Sequence, residues 1–181
     1  GYLWVYNRPG GDVLFEWHPS RASSCLEGML DTFRGRLQCD AYAAYASFIK
    51  TRDGIELHAC WAHARRKIFE AKNECPGLAG WLLHQIGLLY AVEREMKGKG
   101  PALRQAVREA RSLPVLQRIE KTLRLKLAAH RPTSAMGMAV TSDVMLLFAE
   151  KGAESAARDQ AVGWQVAPHA LPDTAWTCAS L

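Results

Sequence analysis

The chain has 181 residues, 49% of them apolar, and a formal net charge of +5. That is enough chain to bury a real core as one globular domain with a helical appendage. No run of 18 apolar residues and no charged leader with an apolar segment behind it occur, so neither membrane insertion nor export is indicated. The five cysteines are Cys25, Cys39, Cys60, Cys75 and Cys178, widely spaced and with no C-x-x-C pair. This excludes a zinc ribbon or a dithiol redox motif and suits a reduced, cytoplasmic setting. The missing initiator Met leads us to expect a fragment or a processed chain.

"YLWVY", Tyr2 to Tyr6, is rich in aromatic and branched residues and predicts a strand. "NRPGGD" supplies a turn, and "VLFEW", Val13 to Trp17, predicts the returning strand of a hairpin. Leu26, Met29, Leu30 and Phe33 fall at helical spacing, with Ser23 or Ser24 as cap and Gly35 as stop. "RLQCD" predicts a short strand ending at Asp40, "AYAAYASFIKT" a helix, and Ile55 to Ala62 another strand. "HARRKIFEAKNE" predicts a helix ending before Pro76. Strand and helix alternate this far, which argues for a mixed sheet covered by helices. After Pro76 only helical periodicity remains, with breaks expected at Gly98, Gly100-Pro101 and Pro114.

The positive charge is segregated. Glu93 to Arg131 hold eleven Lys or Arg against four Glu, a local balance of +7. A basic stretch of this kind suits a polyanion such as nucleic acid, or is a solvated helix face.

Two short words carry most of the chemistry. In "LQCDAYAAY" an apolar run stops on a lone acid, Asp40. A carboxylate at a strand end can serve a hard cation such as magnesium, or can cap the following helix. One Asp does not make a two-metal site. In "CWAHARRKIFEA", His63 is expected at a strand-to-helix junction and Arg65, Arg66 and Lys67 in the first helical turn. Cations there oppose the helix macrodipole, which a bound anion would offset; the bland alternative is three solvated side chains. Cys60 with His63 as a metal pair, and Cys60 as a nucleophile, find little support: no second ligand pair and no oriented base lie nearby.

Together the two words resemble the transposases of the IS-sixty-six group of bacterial insertion sequences. There the corresponding words run close to L-Q-x-D-G-Y-x-A-Y and C-W-A-H-x-R-R-K-F. "GYLWVY" and the run before Asp40 also fit the layout, and the resemblance covers roughly Gly1 to Gly137. It implies a DDE transposase with a ribonuclease H-like core, using two Asp and one Glu to hold two magnesium ions and to cut or join DNA. It makes Asp40 the second acid of that triad and a metal ligand. It makes His63, Arg65, Arg66 and Lys67 contacts to DNA; Arg118, Lys121, Arg124 and Lys126 are DNA-binding candidates from the basic stretch. Other transposase subunits are a further implied partner.

The departures are as informative. The family's first Asp belongs to a D-E-T word on a strand before "GYLWVY", and its third acid to a D-N-N-x-x-E-R word; neither word occurs. Ala41 stands where the family has Gly. Glu150 and Glu154 lack the flanking word that would mark a third acid. The resulting expectation is an incomplete ribonuclease H-like α/β core over 1–75, a helical insertion over 76–139, and a divergent or frameshifted tail over 140–181. Residues Asp143 to Asp159 can form a helix by propensity; beyond Asp159 irregular chain with little buried surface is expected.

Overall fold

In the computed structural model, residues 1–8, 11–40, 42–126 and 133–140 are described, together with the backbone of 175–180. The chain divides into two compact units, Gly1–Cys60 with Gln165–Leu181, and Trp61–Trp164.

The first unit is a mixed five-stranded sheet in the order β2-β1-β5-β3-β4. β1 (Tyr2–Asn7) and β2 (Val13–His18) form the expected antiparallel hairpin, with Tyr2 opposite His18 and Asn7 opposite Val13. Arg8 N–H donates to Asp12 O at 3.2 Å and Gly11 N–H to Arg8 O at 2.9 Å across the turn. A 3-10 turn, Ser23–Leu26, leads into α1 (Glu27–Leu30). The helix expected from Ser23 to Gly35 is therefore shorter than its apolar spacing implied. Both serines lie inside the 3-10 turn, and neither caps it. β3 (Gly35–Cys39), α2 (Ala43–Ile49) and β4 (Ile55–Ala59) then alternate strand, helix and strand, with β3 and β4 parallel from Gly35↔Ile55 to Cys39↔Ala59.

Period-two alternation decides what this sheet buries. Trp4 and Tyr6 from β1 and Leu37 and Cys39 from β3 are fully buried. They pack in one core with Leu26, Leu30, Ala44, Tyr45 and Phe48. Trp4 meets Tyr45 edge-to-face, with ring centroids 5.8 Å apart. Gly54 closes the turn before β4 at φ +81°, where its carbonyl accepts from Gly35 N–H at 2.8 Å. A Cβ there would stand 2.6 Å from Arg34 Cδ as well as in a strained backbone region, so a side chain at this position would be strained and would displace Arg34.

The fifth strand was not expected. β5 (Ala175–Ser180) lies between β1 and β3, antiparallel to the first and parallel to the second. The expectation of irregular chain after Asp159 is corrected at 175–180, and residues 160–174 lie outside the described residues. "AWTCAS" carries Trp and Thr, residues that suit a pleated surface, and the strand pairs inner edges that β1 and β3 do not pair with each other. Val140, where the divergent tail was expected to begin, is fully buried. The helix expected over 143–159, and Glu150 and Glu154, lie outside the described residues.

The second unit is helical among its described residues. α3 (Trp61–Glu70) runs into a 3-10 turn, Ala71–Asn73. α4 (Pro76–Glu95) starts on a proline, whose missing N–H costs nothing at a first helical position. α5 (Pro101–Val107) and α6 (Leu113–Lys126) are joined by a π turn, Arg108–Ser112. The break expected at Pro114 is thus absent. The wider i→i+5 turn before it accommodates a residue that lacks an N–H, and the helix continues. Leu82, Ile86 and Leu89 of α4, and Leu116, Ile119 and Leu123 of α6, are fully buried. α7 (Ala135–Met138) is capped by Ser134, whose Oγ accepts from Gly137 N–H at 3.0 Å. No helix among the described residues is long and apolar enough to cross a membrane.

Candidate nucleic-acid interface

Asp40 follows β3 directly and is half-buried. Its Oδ1 accepts from Tyr42 N–H at 3.3 Å. The capping alternative thus takes a particular form. Tyr42, not Asp40, is the N-cap residue of α2, and no side chain caps that helix. The carboxylate instead bonds across the connection between strand and helix. Continuing the β3–β4 register by one residue sets Asp40 opposite Cys60. Two further pairs behind it share that face: Gln38 opposite His58, both buried, and Arg36 opposite Glu56. Arg36 Nε lies 3.6 Å from Glu56 Oε2, and His58 Nε2 lies 3.5 Å from Glu56 Oε1.

These neighbours bear on the magnesium expectation. Magnesium takes hard oxygen ligands at short, near-octahedral distances. The residue next after β4, where the register would continue opposite Asp40, is Cys60. Among the described residues no three His, Cys, Asp or Glu side chains come together as a metal site. The described residues alone therefore do not make up a two-magnesium centre, and no metal-dependent step is derived from them.

β4 ends at Ala59, and α3 begins at Trp61. The strand expected to reach Ala62 is three residues shorter, because Trp61, Ala64 and Ile68 form a buried helical stripe. This moves the basic residues. His63 is the third residue of α3, not a junction residue, and Arg65, Arg66 and Lys67 lie past the first turn. The macrodipole argument for an anion at that helix end therefore falls away; Lys67 is already in the last turn, where a cation is favourable. Arg66 Nη2 lies 3.0 Å from His63 Nδ1 and its Nε 3.8 Å from Glu70 Oε1, while Lys67 Nζ lies 3.5 Å from Glu70 Oε2. Arg65 and Arg66 are exposed and Lys67 half-buried.

On α6 the apolar stripe Val115, Leu116, Ile119 and Leu123 turns inward, so Arg118, Lys121, Arg124 and Lys126 are all exposed. Arg124 Nη2 donates to Glu120 Oε1 at 2.8 Å, one turn back. Lys121 and Arg124 line a shallow depression with Gln117, Glu120 and Leu125, and Leu125 is 71% exposed. The rest of the basic stretch is less available than its composition suggested. Arg108 grips Glu93 with two 2.7 Å hydrogen bonds, and Arg104 lies 3.9 Å from the same carboxylate. Arg111 pairs with Glu95, and that hydrogen bond holds the Glu95 carboxyl below its ordinary pKa. Arg94, Lys97 and Lys99 are exposed, and Arg131 lies outside the described residues.

The model of the family described as "Transposase IS66 family" matches residues 1–145. An uncharacterized protein of Sinorhizobium fredii (strain NBRC 101917 / NGR234), y4qI, is 30% identical over 130 residues, which is 64% of this chain and 24% of that protein. A second from the same organism, y4jD, is 33% identical over 110 residues, 58% of this chain and 22% of that protein. The chain thus matches about a quarter of the length of these relatives. No solved structure matches it.

Proposed function

The chain belongs to the IS66 transposase family, and from that premise we propose that it is a DNA-binding fragment of a ribonuclease H-like transposase core, unable to cut or join DNA alone. The observation that carries this reading is the family match over residues 1–145, taken with the finding that among the described residues no three His, Cys, Asp or Glu side chains group as a metal site. On this reading Asp40, which follows β3, is the family's second acid. The intact parent would be a magnesium-dependent enzyme of DNA strand cleavage and transfer; here the first Asp and the third Glu are missing from the sequence pattern.

The test has two arms. Incubated with supercoiled plasmid and magnesium, the chain and its Asp40→Asn variant should both leave the DNA intact. Nicking by the parent chain that Asp40→Asn abolishes would show a complete active site and overturn the incompleteness.

DNA affinity is expected from the exposed cations of α6, with a contribution from α3. It should be weak and independent of sequence, because phosphate contacts carry no base information. Log affinity should fall linearly with log salt, by about 0.9 per duplex phosphate contact. Replacing Arg118, Lys121, Arg124 and Lys126 together by Ala should flatten the slope measured by fluorescence anisotropy. The loss is expected to be less than four contacts' worth, since Arg124 is already paired to Glu120. An unchanged slope would move the interface to Arg65, Arg66 and Lys67.

A further inference from the structure

The order β2-β1-β5-β3-β4 leaves β2 and β4 as the edges among the described strands, and the two edges are unlike. Every residue of β4 is buried or half-buried. Four of the six residues of β2 are exposed, and all four are apolar: Val13, Leu14, Phe15 and Trp17. Phe15 is 64% exposed and Trp17 65%. Val13, Phe15 and Trp17 share one face of the sheet, opposite Asn7, Val5 and Leu3 of β1. Soluble proteins blunt a free edge with Lys, Pro or a bulge, and β2 carries none of these.

The hairpin fixes which backbone groups this edge offers. Arg8 N–H donates to Asp12 O, so Arg8 and Asp12 form a hydrogen-bonded pair. Such pairs recur at every second residue of an antiparallel ladder. Leu14, Glu16 and His18 therefore bond inward to β1. The backbone groups of Val13, Phe15 and Trp17 point outward, and these are the residues of the exposed apolar face.

We propose that β2 is the contact between two copies of this chain, paired antiparallel about a two-fold axis at Phe15. Phe15 then faces the partner's Phe15, and Val13 faces the partner's Trp17, each through outward backbone groups. Charge selects this register. Asp12, one residue before the strand, falls opposite the partner's His18, an imidazole already 3.3 Å from Glu16 on its own strand. Leu14 falls opposite the partner's Glu16. A slip of two residues one way sets Glu16 against Glu16 and asks Pro19, which has no N–H, to donate to Val13. A slip of two the other way sets Asp12 against Glu16 twice. Like charges directly opposite one another are destabilising. A slip of one turns the bonding groups and the apolar face out of step. Each copy has one such edge, so the pairing closes at a dimer. It is independent of the DNA reading.

Sedimentation velocity of the full chain, from low micromolar to near-millimolar concentration, should show a monomer–dimer equilibrium. A micromolar constant is expected, because one strand pair lies at the small end of specific interfaces. Phe15→Lys should raise that constant about tenfold or more, since it sets two ammonium groups face to face. The replaced side chain is exposed, so the circular dichroism spectrum should not change. Crosslinking reads the register. The Cα atoms of a hydrogen-bonded cross-strand pair lie about 5.5 Å apart, within disulfide reach. Oxidised with copper phenanthroline, Phe15→Cys should bridge to itself, and Val13→Cys should bridge only when mixed with Trp17→Cys. Mass spectrometry of the digest separates these bridges from any made by the native cysteines. A monomer at every concentration, or a dimer that Phe15→Lys leaves unchanged, would overturn the contact. Bridging of Val13→Cys to itself, or growth beyond two copies, would overturn the two-fold pairing at Phe15.

Discussion

Thr177→Pro should cost about 1–3 kcal/mol for each buried backbone group it leaves unpaired and open the sheet along its middle. Thr177 is in register with Asn7 of β1 and with Gln38 of β3 at the same time. Proline removes one ladder donor and fixes a backbone angle that a central strand does not use. The cost is raised by what surrounds the strand. β1 and β3 do not pair with each other, so without β5 the sheet becomes a hairpin and a separate parallel pair. Their inner edges lie beside Trp4, Tyr6, Leu37 and Cys39, all fully buried, where water cannot readily replace the lost bonds. Each buried backbone group left unpaired costs about 1–3 kcal/mol. Urea unfolding followed by tryptophan fluorescence measures the loss, and amide exchange locates it at Trp4–Asn7 and Arg36–Gln38. Thr177→Val keeps the donor and the strand preference and should shift stability by less than about 1 kcal/mol. A Thr177→Pro variant as stable as its parent would show that the sheet closes without the C-terminal strand.

That strand marks the limit of what the sequence disclosed about the fold. β1, β2 and β3 were legible because each carries its own signal: branched and aromatic residues bounded by turn residues. The alternation of strand and helix up to α3 followed from the same local patterns. β5 has no such independence. "AWTCAS" becomes a strand because a slot between β1 and β3 accepts it, and that slot is built from residues at the other end of the chain. Pro114 failed in the opposite direction. A proline in a helical pattern reads as a stop, but one extra residue in the preceding turn relieves the clash, and nothing in the composition announces a π turn.

The candidate site divides in the same way. Asp40 was legible because an apolar run ending on one acid is a local event. The basic residues of α3 are plain in the sequence but their place in the helix is not, since Trp61 and Ala62 continue the apolar run of β4 and conceal the start of the helix. The stretch from Glu93 to Arg131 was legible as basic, but its accessible charge was not. Glu93 and Glu95 sit on α4 and their partners beyond the turn at Gly98, so the pairing crosses between helices and escapes the i, i+4 rule that a single helix obeys.

The largest effect in the helical unit should come from Arg108→Ala. The Glu93 side chain is 8% exposed and that of Arg108 12%. Both oxygens of Glu93 are taken by the Arg108 fork, at 2.7 Å each. Removing the arginine leaves a carboxylate in a place that excludes water, and breaking a buried pair in this way costs about 3–5 kcal/mol. The lower end is expected, because Arg104 lies 3.9 Å from the same carboxylate and can move toward it. The pair as a whole contributes much less than this figure suggests, since both charges were desolvated to form it. Replacing Glu93 and Arg108 together by Leu should therefore cost less than Arg108→Ala alone. Arg108→Lys should fall between parent and Arg108→Ala: it keeps the charge but offers no planar fork. Urea unfolding followed by helical circular dichroism ranks the four proteins. If Arg108→Ala lay within about 0.5 kcal/mol of the parent, as surface substitutions do, Glu93 would be reaching water and the pair would be no more than a surface contact.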